Sequence, residues 1–166
     1  DLQDEDDGDD AQVKVLVEGE VCIYTFKDCD NNGDLRGDEP LGNVRFDYLY
    51  TDAQGAQINA VGQTDDSGKA CLILRPGVIN IKVFFPTSPV GLDYTVANAV
   101  DDAFDSDADA GGNIPTITII SDTSIEVAVG FKDIQKPTFG IIPNDGTYEC
   151  HDYHYPATPE AIDNCD

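Results

Sequence analysis

The sequence predicts an all-β chain, an antiparallel β-sandwich of about seven to eight strands, and three observations predict it. Short runs rich in Val, Ile, Tyr, Phe and Thr recur from Val13 to Phe131, the composition that suits a pleated, half-buried surface. Clusters of Gly, Asp, Asn and Pro fall between those runs, where strands must reverse. Only residues 96–104, VANAVDDAF, read even weakly as helix, and that stretch is short. Many short strands with turns between them make a sandwich.

Taken in order, strands are expected at residues 13–17, 21–26, 44–51, 60–64, 69–74, 78–85, 116–120 and 125–131. Several alternate strictly. Ile79, Ile81 and Val83 share one side of a strand, as do Ala70, Leu72 and Leu74, the period of two that a half-buried antiparallel strand requires. Reversals are expected at residues 52–55, 65–68 and 76–77. No long internal repeat occurs, so residues 13–131 read as one module. Residues 1–12 read as an acidic tail or linker, with seven acids in the first ten positions. Residues 132–166 hold four Pro, two Cys and both His. They read as a C-terminal extension that wraps the sandwich or reaches a neighbour.

Charge is the unusual feature of composition. The 166 residues carry 33 acids and nine bases, a formal charge of −24. Such a balance excludes nucleic acid and anionic membrane surfaces as partners. Asp supplies most of the acids, and short carboxylates suit turns and hard-cation sites better than a helical surface. A salt-adapted surface has the same composition. Self-repulsion on this scale destabilises a compact fold unless cations neutralise part of it, so bound metal is expected. No run approaches the roughly 18 apolar residues that span a bilayer, and membrane insertion is not expected. The chain opens on Asp1 rather than Met, as a processed exported chain or a piece of a longer one would. Five Cys without a Cys-x-x-Cys pair are expected to form two disulfides and leave one thiol. Cys150 is expected to pair with Cys165, and two of Cys22, Cys29 and Cys71 with each other.

Residues 28–39, DCDNNGDLRGDE, carry the sharpest motif. Asp28, Asp30 and Asn32 stand at positions 1, 3 and 5 of a twelve-residue calcium loop, Gly33 at position 6 and Glu39 at position 12. Alternate side chains of a tight turn converge on one point, and Gly permits the bend. Asp34 is expected to contribute its backbone carbonyl, and Glu39 to close the oxygen shell. The competing reading is an ion-free hairpin turn, against which five matching positions weigh. Arg36 at position 9 cannot ligate, so water or another carboxylate such as Asp38 must fill that direction. Strand-like residues flank the loop on both sides, so it is EF-hand loop chemistry without the helices. A second acidic cluster comprises Asp101, Asp102, Asp105, Asp107 and Asp109. Asp105, Asp107 and Asp109 alternate as an oxygen cage would, with Gly111 and Gly112 giving room to turn. From the residues alone a second metal cage and a solvated acidic loop are both open.

The order TFKDCDNNGDLRGDEPLGNVRFDYLYTDAQG, QTDDSGKACLILRPGVINIKV, VANAVDDAFDSDADAGG and IEVAVGF resembles the SdrD B-like domain, over about Val13 to Phe131. That resemblance implies a prealbumin-like (Cna-B-type) sandwich binding several calcium ions and acting as a rigid spacer, and it favours a second calcium site at the 101–109 cluster. Arg36 departs from the acid usual in the family, and the chain after Phe131 has no family counterpart. The function expected is an extracellular, cell-surface structural module stabilised by Ca2+, a building block of a stalk or self-assembling fibre. Its expected partners are copies of itself or neighbouring modules, and residues 136–142, KPTFGII, could add a strand to a neighbour's edge. The alternative is an adhesin module for a glycan or protein ligand, which requires an exposed aromatic patch from Tyr48, Tyr50, Tyr94, Tyr153 or Tyr155. An enzyme is not expected. No Gly-x-Ser-x-Gly elbow occurs, and the only two His, His151 and His154, stand beside Cys150 in the tail.

Overall fold

The computed structural model describes residues 17–100, 104–141 and 160–165. Among them eleven strands follow one another: β1 (Gly19–Asp28), β2 (Glu39–Pro40), β3 (Arg45–Asp52), β4 (Gln57–Gln63), β5 (Lys69–Leu74), β6 (Gly77–Val83), β7 (Leu92–Tyr94), β8 (Ile117–Ile119), β9 (Ser124–Asp133), β10 (Thr138–Ile141) and β11 (Glu160–Ile162). No helix occurs among the described residues, and residues 96–100 are irregular. The chain is an all-β sandwich. One sheet is centred on β1, with β9 and then β7 on one side and β5 and β2 sharing the other. The second has the order β4-β3-β6-β8, and β10 pairs β11 in a separate ribbon.

Alternation places the core as the sequence foretells. On β6, Ile79, Ile81 and Val83 are buried while Val78, Asn80 and Lys82 face out. Phe46 and Tyr50 of β3 and Val21 and Ile23 of β1 meet them from either side, with Val127, Val129 and Phe131 of β9. Each such side chain contributes roughly 1.5–3 kcal/mol on burial.

One pairing departs from the antiparallel expectation. β1 and β9 run parallel, from Glu20 opposite Ser124 to Asp28 opposite Lys132. Parallel strands are found where both faces are covered, and residues 127–131 of β9 are buried without a break. The second face of β1 is covered at its Phe26–Asp28 end by the chain after β7. Phe26 is fully buried there, and a Cβ on Gly130 would stand 2.5 Å from both its ring and the Thr95 methyl. The Phe26 ring therefore fills the place where Gly130 has no side chain. This covered face continues directly into the 28–39 loop.

Strands β2, β7 and β11 span only two or three residues, too few to show a period. Of the strand expected at residues 13–17, only Val17 is described, and it lies outside the strands. Cys22 and Cys71 form a disulfide across directly opposed positions of β1 and β5. The expected Cys150–Cys165 bridge is replaced by Cys29–Cys165. The reason is local: Asn164 donates to the Val90 carbonyl at 2.9 Å and to Asp133 at 3.1 Å, and its own carbonyl accepts from Lys27. Those contacts seat the tail's end beside the C-terminal end of β1, where Cys29 lies. Cys150, like residues 1–16, 101–103 and 142–159, is outside the described residues. The segment expected as a donor strand is paired within its own chain, Thr138 opposite Ile162 and Phe139 opposite Ala161.

Candidate metal centre

β1 ends at Asp28, and the chain returns to pair with it two residues at a time: Lys27 opposite Glu39 and Phe26 opposite Pro40. The loop is therefore closed as a hairpin, the role that two helices play around an EF-hand loop. Inside it, short polar side chains fold back on the backbone in sequence. Asp28, fully buried, accepts from the Gly33 N–H at 2.9 Å and the Asn32 N–H at 3.2 Å. Asp30 accepts from the Asn32 amide at 2.8 Å, Asn32 Oδ1 from the Asp34 N–H at 2.6 Å, and Asp34 from the Arg36 N–H at 2.9 Å. These turns need left-handed backbone, supplied by Asn31 at φ 59° and Gly33 at φ 76°. Gly33 is also packed close: a Cβ there would stand 2.7 Å from the Val96 carbonyl.

Carboxylate oxygens of Asp28, Asp30 and Asp38 converge within 4.8 Å of one another. Burial pushes the Asp38 carboxyl above its ordinary value, and the neighbouring charges of Asp28, Asp30 and Asp34 push it further, against a hydrogen bond from Cys29. Asp38 Oδ2 is buried with no hydrogen-bond partner. A hard divalent cation fits this arrangement, because it accepts oxygen ligands alone and cancels the repulsion among them. Glu20, Cys22 and Cys71 also converge, but both thiols are consumed by their disulfide.

Of the residues singled out in the sequence, Asp28 and Asp30 are brought together. Asn32 has its amide engaged within the loop. The Asp34 carboxylate faces Arg36 at 2.7 Å, and the hydrogen bonds from Arg36 hold it below the ordinary carboxylate range. Glu39 is exposed and stands 3.2 Å from Lys27, while Asp38, one residue earlier, is the acid beside Asp28 and Asp30. The direction that Arg36 leaves open is thus faced by the neighbouring acid.

The second acidic cluster is distributed among three tasks. Asp105 is buried and forms a β-bridge with Asp34, flanked by Leu35 N–H to Phe104 carbonyl at 2.7 Å and Ser106 N–H to Gly33 carbonyl at 3.2 Å. Asp107 lies along β9, its carboxylate accepting from the Ala128 N–H at 2.7 Å. Asp109 closes its own turn, accepting from the N–H groups of Gly111 and Asn113 at 2.8 and 2.9 Å. Among the described residues these three do not form a converging carboxylate group; Asp101 and Asp102 lie outside them. What the sequence presented as two clusters is, at Asp105, one place.

Three residues with no motif to announce them complete it. The Thr95 hydroxyl donates to the Asp28 carboxylate. Ser106 Oγ accepts from the Gly130 N–H at 3.1 Å. Phe104 lies 4.8 Å beneath the Arg36 guanidinium, so Arg36 grips both Asp34 and the returning segment. The loop is tied to residues 95 and 104–106, the covering over the buried outer face of β1.

No family model matches the chain, and no curated protein matches it. Among solved structures it is similar to the Bacillus anthracis TIE protein, at 22% identity over 71% of this chain and 18% of that chain, with a TM-score of 0.44. It is also similar to the shaft pilin SpaA from Lactobacillus rhamnosus GG, at 18% identity over 74% of this chain and 52% of that chain, with a TM-score of 0.43. The chain spans about a fifth of the first and about half of the second.

Proposed function

We propose that this chain is an extracellular structural module in which Ca2+, held by Asp28, Asp30 and Asp38, fastens the 28–39 loop to the segment that covers β1. The observation that carries the reading is the convergence of those three carboxylates within 4.8 Å on a loop of EF-hand spacing. An all-oxygen site suits Ca2+ better than Zn2+ or Cu2+, which favour nitrogen and sulfur. Two disulfides suit an oxidising compartment, and the SdrD B-like resemblance, with its prealbumin-like (Cna-B-type) sandwich, supports the same reading. In this role the metal does no chemistry. It stabilises the folded loop selectively and makes the module stiff, which is what a stalk or fibre of such modules needs.

The glycan-adhesin alternative is less well supported. Tyr50 and Tyr94 are buried, their hydroxyls donating to the Arg75 and Val83 carbonyls at 2.8 and 2.7 Å. Tyr48 packs half-buried against the core, and Tyr153 and Tyr155 lie outside the described residues. The test is thermal unfolding in calcium and in chelator, for the native chain and for Asp28→Ala combined with Asp30→Ala. The native melting temperature should rise with calcium and that of the double variant should not. A native chain indifferent to calcium would overturn the proposal.

A further inference from the structure

Among the described residues, the β4 edge of the second sheet lacks the protections of charge, Pro, shortness and bulge that sheet edges ordinarily carry. Edges are kept from pairing by shortness, charge, Pro or bulges. β2 has two residues, one of them Pro40, and β7 and β8 have three each. β5 is longer but begins at Lys69 and is followed by Arg75, which antiparallel self-pairing about Leu72 would set against each other. β4, QINAVGQ, has seven residues, no charge and no Pro, and pairs β3 in unbroken register. In a chain of net charge −24, an uncharged strand of that length is conspicuous. Ile58 and Val61 on it are 48% and 62% exposed.

The hydrogen-bond phase of β4 is fixed by bonds at its two ends. Thr64 N–H donates to the Val44 carbonyl and Asp52 N–H to the Ala56 carbonyl, each at 2.9 Å. Bonded pairs alternate along an antiparallel ladder, so Ile58, Ala60 and Gly62 bond inward to Tyr50, Tyr48 and Phe46. Gln57, Asn59, Val61 and Gln63 therefore point their N–H and C=O groups out of the sheet edge. The strand has Gln at both ends and the small Ala60 at its centre.

We infer that β4 pairs with β4 of a second copy of this chain, antiparallel about a two-fold axis at Ala60. In that register Gln57 meets Gln63 and Asn59 meets Val61, so all four outward-facing residues of each strand are satisfied, by about eight backbone hydrogen bonds. Ala60 meets Ala60 in the close, non-bonded position, where small side chains fit. Ile58 lies opposite Gly62, and the Gln57 and Gln63 side chains, bonded within their own chain to Thr51 and Asn43, place no charge at the seam. No like charges oppose each other across the seam. The two four-stranded sheets become one of eight strands. This pairing does not rest on the calcium reading and should persist in chelator.

The test is sedimentation of the purified chain from about 10 to 500 µM, the range expected of a small interface, with amide hydrogen exchange at both extremes. The native chain should form dimers, and the Asn59 and Val61 amides should gain protection with concentration. Raising salt should strengthen the dimer by screening the net negative charge. Val61→Pro removes an outward N–H and costs the monomer no ladder bond; Val61→Lys places charge at the seam. Both should be monomeric throughout with native melting temperatures. A native chain monomeric over the whole range would overturn the inference. So would dimers that survive both substitutions, or protection that falls elsewhere than β4.

Discussion

Replacing Asp38 by Asn separates a metal ligand from an ordinary loop acid, because the two roles predict opposite signs. Without metal the Asp38 carboxyl sits above its ordinary value of 3.8, first through burial and then through the charge of Asp28. A carboxyl raised in the folded state favours folding only while it is protonated, and that contribution is lost as pH rises through the folded value. At neutral pH its charge therefore opposes folding, and Asp38→Asn in chelator should leave the melting temperature unchanged or raise it. With calcium the sign reverses. At a concentration about 100-fold above Kd a bound ion contributes about 2.7 kcal/mol. A variant bound about 100-fold more weakly retains about 0.4 kcal/mol of that, so about 2.3 kcal/mol is lost. For a chain of 166 residues that is a fall of about 5–9 °C relative to the native chain. The assay is differential scanning calorimetry of both proteins, each in chelator and in millimolar calcium. If Asp38→Asn lowers the melting temperature equally in both, Asp38 is a structural hydrogen-bonding residue and the metal assignment fails.

Gly33→Ala should weaken calcium binding by at least tenfold in a calorimetric titration, since it forces a side chain into φ 76° and against the Val96 carbonyl. Breaking the Cys29–Cys165 bridge by Cys165→Ser should release the tail to limited proteolysis. It should also lower stability by no more than about 5 kcal/mol, the chain-entropy ceiling for so long a loop. Acid should act through other carboxylates. The Ser67 hydroxyl holds Asp65 below 3.8, and the Asn113 N–H does the same for Asp109. Each therefore adds stability above its unfolded value that is lost as pH falls below about 3.8 towards the depressed folded one. Asp65→Asn should accordingly lower the melting temperature at pH 7 and make the acid limb of its pH profile shallower.

Much of the sandwich was legible because burial on one face writes itself into a strand as alternation. β5 was expected at its observed bounds, and β3 and β6 within one or two residues, since Phe46, Tyr50, Ile79 and Ile81 must point one way. β9 was visible as an apolar run, but its direction was not. A strand buried on both faces carries no phase, and only the chain crossing over Phe26 makes β1 and β9 a covered, parallel pair. The Cys29–Cys165 bridge was illegible for a related reason. Proximity in sequence favours Cys150, whereas the pairing depends on where Asn164 meets Val90, Asp133 and Lys27.

The 28–39 loop divides the same way. Spacing alone brings Asp28 and Asp30 together, because alternate residues of a tight turn converge whatever surrounds them. It cannot choose between Asp38 and Glu39, since that choice is made by the return strand. Pairing Glu39 with Lys27 directs its side chain to that lysine, and the preceding residue is left facing the loop's interior. Arg36 makes the exchange coherent. Engaged with Asp34 and the Phe104 ring, it holds the returning segment in place and leaves to Asp38 the direction it cannot fill. The loop is tied at Arg36 to a neighbouring segment, and the proposed cation site and the cover over β1 should then unfold together. Hydrogen exchange in chelator should show this directly, with the amides of Gly33, Leu35 and Ser106 losing protection as one group while those of Ile79 and Ile81 keep theirs. Loss of protection at Gly33 alone would mean that the loop and its cover are independent.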